Sequence, residues 1–292
     1  MWSTPAPYNS AVIRADLHCH STASDGTLTP AELATRAKAA GVSLWALTDH
    51  DDLSGQSQAL QAAAACQLPF LCGVEISVSF ADVTVHIVGL GIDPEHPTLV
   101  QGLAHTRSGR ERRAQAMAQG LAQVGITGAY QGALQYVGNP SLISRTHFAR
   151  FLVANGHCQD TNEVFRRYLT PGKPGYVPHQ WATLGNAVQW ITQAGGIAVV
   201  AHPARYPFSP SAEYALFSEF KQHGGQAVEV VTSAHTGADA ARYADLATEF
   251  GLLASTGSDF HSPIESRCDL GSMPPLPGQV TPVWEALQHR VH

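Results

Sequence analysis

Residues 29–48 read TPAELATRAKAAGVSLWALT, and the punctuation of this stretch decides the fold class. Thr29 and Glu32 stand three apart with Pro30 between them, a capping box with proline at the first helical position. Leu33 and Ala37 repeat at helical spacing, Gly41 is a stop, and the apolar run from Val42 to Thr48 reads as a buried strand. The same unit recurs on both sides. Upstream, Ala11 to His18, with Val12 and Ile13, forms a short strand. Downstream the pattern predicts a helix over 56–65 and strands over 70–74 and 83–90. It resumes with a helix over 184–193, a strand over 197–201, a helix over 213–222 and a strand over 227–231. A helix over 238–250, a strand over 252–257 and a last helix near 282–289 complete it. Such alternation predicts an α/β protein whose parallel sheet closes into a barrel-like layer with helices outside.

Between residues 101 and 176 the rhythm becomes helical only, with helices expected over 102–124, 141–155 (stopped by Gly156) and 161–169. Charge shifts with it. Nine basic residues (Arg107, Arg110, Arg112, Arg113, Arg145, Arg150, Arg166, Arg167, Lys173) face three acids (Glu111, Asp160, Glu163), a formal +6. The rest of the chain, with eight basic and twenty acidic residues, carries −12. The division is therefore a barrel of residues 1–100 and 177–292, with a basic helical insertion, 101–176, capping its mouth.

Bulk composition mostly excludes. The 292 residues are 44% apolar and 14% charged, enough for a large core and against a disordered chain. A net charge of −6 argues against a general nucleic-acid binder, whose phosphate contacts demand a basic face. No apolar run reaches membrane-span length, and residues 1–11 lack the basic and apolar blocks of a signal peptide, so a soluble cytoplasmic protein is expected. Five cysteines (Cys19, Cys66, Cys72, Cys158, Cys268) without a CxxC pair suggest neither a disulfide framework nor a thiolate zinc site. Histidine is the unusual count: fifteen, about one residue in twenty.

Those histidines fall where α/β sheets build sites, just beyond strands. Asp16-Leu17-His18-Cys19-His20 is followed by Ser24-Asp25-Gly26, and in an extended strand Asp16, His18 and His20 share a face opposite Leu17 and Cys19. Further strand ends carry Thr48-Asp49-His50-Asp51-Asp52, Gly73-Val74-Glu75, Val85-His86-Ile87, Ala201-His202-Pro203 and Ser258-Asp259-Phe260-His261. Each alone has an ordinary reading, such as a helix cap for Asp49 or Asp51, or a satisfied buried imidazole for His86. Six strand ends converging imidazoles and carboxylates on one mouth would repel or stay unsatisfied without cations, so a polynuclear metal centre is the economical reading.

In order, Asp16-Leu17-His18-Cys19-His20, Thr48-Asp49-His50, Glu75, Ala201-His202-Pro203 and Ser258-Asp259-Phe260-His261 resemble the motifs of the PHP (polymerase and histidinol phosphatase) metal-dependent phosphoesterases. The resemblance spans nearly the whole chain. It is closest to the stand-alone branch with a helical insertion, which includes nucleoside 3′,5′-bisphosphate phosphatases and exonucleases acting on RNA 5′ ends. It implies a distorted (β/α)7 barrel. It also implies a first metal held by His18, His20, Glu75 and Asp259, a second by Asp25, His50 and His261, and a third by Glu75, His86 and His202, with Glu75 bridging. Asp25 stands where some relatives have His, which favours a harder cation such as manganese, with zinc or iron as alternatives. Asp16 and Asp49 are expected to orient imidazoles rather than ligate.

Clustered cations would lower the pKa of a bridging water and neutralise phosphoryl oxygens, so phosphate-ester hydrolysis by a metal-bridging hydroxide is the expected chemistry, with Asp25 and Glu75 at its centre. Residues expected to grip the remaining phosphate oxygens are Arg145, Thr146 and His147 of the insertion, Lys173 and Tyr176 of its last loop, 171–176, Arg205 and His235. His235 is also the candidate general acid. His179 stands even between site and filler, while His96, His105, His157, His223, His289 and His292 look like surface residues.

The basic insertion favours a substrate with two phosphates, hence removal of the 3′-phosphate from nucleoside 3′,5′-bisphosphates such as the adenosine compound. The enzyme alternatives are a 5′-to-3′ exoribonuclease on short RNA 5′ ends and a histidinol-phosphate-type phosphatase, which would leave the nine cations unexplained. A catalytically inactive nucleic-acid-associated module is the non-enzyme alternative; such relatives lose ligands, and here every expected position is filled. The expected partner is a small phosphorylated nucleotide, with no membrane and no obligate protein partner.

Overall fold

The structure, a computed structural model, describes residues 13–292. Ala11 and Val12 of the expected first strand lie outside these residues. In chain order the elements are β1 (Ala15–Asp16), α1 (Pro30–Ala39), β2 (Leu44–Leu47), α2 (Gln56–Ala65), β3 (Phe70–Phe80) and β4 (Val83–Leu90). The helical stretch follows: α3 (Pro97–Arg107), α4 (Arg110–Ala122), α5 (Ala129–Leu134), α6 (Arg145–Ala154) and α7 (Thr161–Val164), the last continued by a π-helical turn, Phe165–Leu169. The chain returns with α8 (Leu184–Gln193), β5 (Ile197–Val200), α9 (Pro210–Gln222), β6 (Ala227–Thr232), α10 (Gly237–Phe250), β7 (Leu253–Gly257) and α11 (Val283–Ala286).

The local signals act as their chemistry requires. Thr29 and Glu32 make both bonds of the capping box on α1, and Gly41 takes φ +79° just beyond its end. The seven strands form one sheet in sequence order, β1 to β7. Its edges approach each other, Leu17 N–H donating to Thr256 O at 3.0 Å and His20 N–H to Phe260 O at 2.8 Å, so the barrel is nearly closed.

One strand overturns the expectation of an all-parallel sheet: β4 is antiparallel to both β3 and β5. The cause is the connection. β3 does not stop at Val74 but runs to Phe80 and turns back through Ala81 and Asp82 alone, with φ +46° and +61°, the two-residue hairpin whose twist matches its strands. A helical crossover has no room there. The expected helix over 102–124 is also divided, at Ser108 and Gly109. A Cβ on Gly109 would lie 2.4 Å from the half-buried His179 ring, which would have to move aside for any larger residue.

Strand alternation sorts the core into layers. Trp45, Leu47, Phe70, Val74 and Ile87 pack outward against helical residues such as Leu33, Ala37 and Phe217. Ala15, Leu17, Leu44, Ala46, Leu71, Val88, Val199 and Ala227 fill the inside, with Val283 and Leu287 among them. A third cluster, including Met117, Leu121, Phe148, Leu152, Val164 and Leu169, gives the helical insertion a core of its own.

Candidate metal centre

Regular alternation ends at Leu17. Leu17 joins the inner core while Cys19 packs in the outer one, and Asp16 accepts from the backbone N–H groups of Ser258 and Gly271 instead of sharing a face with the imidazoles. The chain beyond β1 is held against the end of β7, which requires Gly257: a Cβ there would lie 2.3 Å from the Cβ of His18. His18 and His20 are thereby brought side by side, Nε2 to Nε2 at 3.2 Å.

Glu75 lies at the centre. Its Oε1 is 2.9 Å from His86 Nδ1, 3.0 Å from His202 Nε2 and 3.4 Å from His18 Nε2; its Oε2 is 2.9 Å from His50 Nδ1 and 3.3 Å from His20 Nε2. Asp259 Oδ1 is 3.4 Å from His20 Nε2 and 3.6 Å from both His18 Nε2 and His261 Nδ1. Asp25 Oδ1 lies 3.4 Å from His261 Nε2 and 3.9 Å from His50 Nε2. These nine residues supply four overlapping donor groups: His20, Asp25, His50 and His261; His18, Glu75 and His202; His18, His20 and Asp259; His50, Glu75 and His86. Three neighbouring backbones are strained. Asp51, His202 and Asp259 have φ of +51°, +29° and +52°, a region non-glycine residues enter only when their surroundings dictate it.

The cluster suits cations better than protons. Glu75 Oε2 and His50 Nδ1 are close but not aligned for a hydrogen bond, and both stay unpartnered, as do Asp25 Oδ1 and His86 Nδ1. Buried polar atoms that converge without pairing mark the place of an ion. The electrostatics agree. Burial alone would raise the carboxyl of Glu75, yet the imidazoles of His86, His50 and His18 hold it well below the usual carboxylate range. Burial of Asp259 and Asp25 is likewise outweighed, by His18, His20 and His261 around the first and by His261 and His50 around the second. Burial pushes His86 down to about 4, so that ring is a neutral donor.

Asp49 and Asp16 hold loops. Asp49 accepts from Ser21 N–H and Oγ, each at 2.7 Å, and from Ser24 Oγ at 2.5 Å, and bonds no imidazole. The carboxylate that does so is Glu229 of β6, whose Oε1 lies 2.7 Å from His18 Nδ1. A glutamate inside the apolar run Ala227-Val228-Glu229-Val230-Val231 was the available signal.

Above the donors lies a cavity of about 140 Å³, whose cationic lining is Arg110, Arg113, Arg145 and Arg205. A second cleft of about 450 Å³ adjoins it, sharing Thr146, Phe165, Arg205, Asp259 and His261. Of the residues expected to bind substrate, Arg145, Thr146 and Arg205 line the cavity, and Arg205 Nη1 donates to Asp259 Oδ2 at 2.7 Å. The others do not. His147 is buried beneath the first turn of α6, its Nδ1 accepting from Ser144 N–H at 3.0 Å. Lys173 is exposed and Tyr176 half-buried outside the cavity lining. His235 stacks on Tyr243 with 4.9 Å between ring centres, its Nδ1 3.0 Å from Val230 O and its Nε2 accepting from Ala204 N–H, so both ring nitrogens face backbone.

Arg110 and Arg113, not among the residues expected to bind substrate, lie over the Trp181 ring, 4.6 and 5.3 Å from its centre. Arg110 also pairs with buried Asp51. Burial and the neighbouring guanidiniums of Arg145 and Arg110 push Arg113 down to about 9, the mark of a cationic pocket short of counter-charge.

An α/β barrel whose strand ends gather six imidazoles and three carboxylates beneath a cationic roof is the framework of a metal-dependent hydrolase acting on an anionic substrate. The PHP domain model matches residues 16–169, and the chain belongs to the PHP family. It is 50% identical to the 3′,5′-nucleoside bisphosphate phosphatase of Chromobacterium violaceum, over 94% of this chain and 97% of that one. It is 40% identical to the 5′-3′ exoribonuclease of Haemophilus influenzae, over 92% and 97%. A solved amidohydrolase from Chromobacterium violaceum, with bound sulfate and no metal, superposes with a TM-score of 0.93 at 50% identity, covering 96% of this chain and 97% of its own.

Proposed function

We propose that this protein is a metal-dependent phosphatase that removes the 3′-phosphate from nucleoside 3′,5′-bisphosphates. The observation that carries the reading is the bipolar cavity. Its floor offers a donor cluster for cations, and its roof offers guanidiniums, of which Arg113 bonds only the Val177 carbonyl and Arg145 lies over the Phe165 ring. A monoester needs the floor; a second phosphate gives the roof its purpose. Half of the sequence is shared with a relative named for that activity.

The residues that would hold cations are His18, His20, Glu75 and Asp259 for a first, Asp25, His50 and His261 for a second, and Glu75, His86 and His202 for a third, with Glu75 common to the first and third. Three carboxylates among the donors suit manganese, with zinc or iron able to substitute. When bound, such cations supply a water acidic enough to ionise near neutral pH and neutralise the phosphoryl oxygens. The chain's own residues do the rest. Arg205, tied to Asp259, reaches into both cavities and can grip an oxygen of the scissile phosphate; Arg145 and Thr146 face it from the first turn of α6. Arg113 and Arg110 hold the remote phosphate against Trp181, and the insertion, residues 101–176, closes over both. His235, the candidate for protonating the leaving oxygen, lines neither cavity, and both its ring nitrogens face backbone groups.

Among the described residues no helix is long and apolar enough to cross a membrane, and all five cysteines are free, which fits a reducing cytoplasm. The test is phosphate release from adenosine 3′,5′-bisphosphate with manganese, against histidinol phosphate and simple monoesters. Preference for the bisphosphate is expected, and a tenfold preference for the small monoesters would refute the reading. The second cleft, larger than the first and adjoining it at Arg205, Asp259 and His261, supports one further activity, stepwise hydrolysis of short RNA. Release of mononucleotides from RNA oligomers measures it.

A further inference from the structure

We infer that Glu229 is the positioning residue of the metal centre, fixing the tautomer of His18 and the left-handed turn of His202 with the two oxygens of one carboxylate. The inference rests on the metal-dependent reading above.

Glu229 is 1% exposed and does not line the cavity, so it touches neither solvent nor substrate. An ionised carboxylate in such a place persists only if its oxygens are satisfied. They are satisfied by the two residues that matter most. Oε1 lies 2.7 Å from His18 Nδ1, and Oε2 accepts the His202 backbone N–H at 2.6 Å. A carboxylate can only accept here, so His18 carries its proton on Nδ1. Nε2 is then the atom left to give its lone pair to a cation at the cluster, where His20 Nε2, Glu75 Oε1 and Asp259 Oδ1 lie 3.2, 3.4 and 3.6 Å away.

The second bond addresses the backbone. His202 has φ +29° and ψ +56°, and its N–H is held by Glu229 rather than by a strand neighbour. That turn carries the ring back over Glu75, with Nε2 3.0 Å from Oε1. Glu229 is itself placed by an irregularity in the β6–β7 ladder between Glu229 and Val231, the kind of bulge that re-aims a side chain. One side chain thus links donors that lie 184 residues apart in the chain and share one donor group with Glu75.

Glutamine cannot replace it. If its oxygen faces His202 N–H, its NH2 points at His18 Nδ1 and forces the proton onto Nε2, where it blocks the cluster. If its oxygen faces His18, the NH2 opposes the His202 N–H. Aspartate keeps both acceptors but is shorter.

The experiment compares wild-type, Glu229→Gln and Glu229→Asp proteins by calorimetric titration with Mn²⁺ alone, with folding checked by circular dichroism and turnover measured across Mn²⁺ concentration. Expected is a 10- to 100-fold weaker Mn²⁺ affinity for Glu229→Gln, a smaller loss for Glu229→Asp, and turnover in both that recovers as Mn²⁺ is raised. A purely structural role would lower the melting temperature without moving half-saturation. Wild-type affinity in a folded Glu229→Gln protein overturns the inference, whereas a wild-type protein that binds no Mn²⁺ overturns the metal-dependent reading instead. Nitrogen-15 NMR of the wild type loaded with diamagnetic Zn²⁺ decides independently of any variant: a proton on His18 Nδ1 with the cation on Nε2 is expected, and a proton on Nε2 refutes the assignment.

Discussion

Arg110 of the insertion and Asp51 of the barrel form a buried ion pair one residue beyond His50. Asp51 is also bound by Ser77 N–H at 2.8 Å and Ser77 Oγ at 2.9 Å, and its own carbonyl accepts from Arg107. Two arginines of the insertion therefore lock the strained turn that presents His50. Replacing Arg110 with Met leaves an uncompensated buried carboxylate and should destabilise the fold by about 3–5 kcal/mol. Denaturant unfolding measures this, and the Arg110→Met/Asp51→Asn pair should lose less than the sum of its single variants.

Gly257→Ala tests the approach of β7 to His18. The added methyl would sit 2.3 Å from His18 Cβ and 2.6 Å from its backbone N, so strand and histidine must part. We expect a stability loss of about 1–3 kcal/mol together with weaker Mn²⁺ binding. Gly237→Ala, where a Cβ meets nothing within 4 Å, is the control that should change neither.

His18→Ala and Asp259→Ala should each lower turnover at least about a thousandfold, on the scale of removing a group that acts only on the transition state. Chelation of the wild type should do the same reversibly, and should lower the melting temperature because a ligand bound only by the folded state is lost. Unchanged turnover in either variant would contradict hydrolysis at this cluster.

Arg113→Met and Arg145→Met address the roof. Both should lower kcat/KM for the bisphosphate about 10- to 100-fold, while the ratio of bisphosphate to simple monoester activity falls by a similar factor. A ratio equal to wild type would separate these arginines from the second phosphate.

His147 predicts a pH dependence of stability. Burial pushes it down to about 4 in the folded protein, against an ordinary value of 6.5. The unfolded chain therefore takes up the proton first; stability is full above about pH 6.5 and is lost as pH falls toward 4. His147→Gln keeps an acceptor for Ser144 N–H without titrating. Between pH 7.5 and 5.0 the variant should lose about 2 kcal/mol less than wild type in denaturant unfolding.

Local chemistry made much of this legible. The bounds of α2, α8 and β4 follow from apolar spacing and flanking breakers, and Thr29 caps α1 through bonds that span three residues. The nine clustered donors were visible because each follows or occupies a readable strand. What was hidden depends on distance in the chain. The reversal of β4 hangs on a turn of Ala81 and Asp82, which lacks the Asn-Gly signature of its geometry. Glu229 acts on a residue 211 positions away, and Arg110 acquires its meaning from Asp51 and Trp181, 59 and 71 positions distant. His235 looked chemical because of its place after β6, yet its nitrogens serve the backbone.

The reversal of β4 has a mechanical consequence. Because β4 runs against its neighbours, it ends, and β5 begins, at the floor of the barrel, remote from the donors. The chain between them leaves and re-enters there, through α3 and α8, which pack on each other, with a Cβ on Gly102 lying 2.4 Å from the Trp190 ring. The roof is nonetheless tied to the rim as well, by Arg110 with Asp51, by Arg150 with Glu265 at 2.7 Å, by Ser144 Oγ with Asp25 Oδ2 at 3.4 Å and by the bridge of Ala182 to Val78 of β3. Roof and floor of the cavity are thus joined by paired side chains, so losing one of these pairs reshapes the cavity while the barrel ladder keeps its pairing.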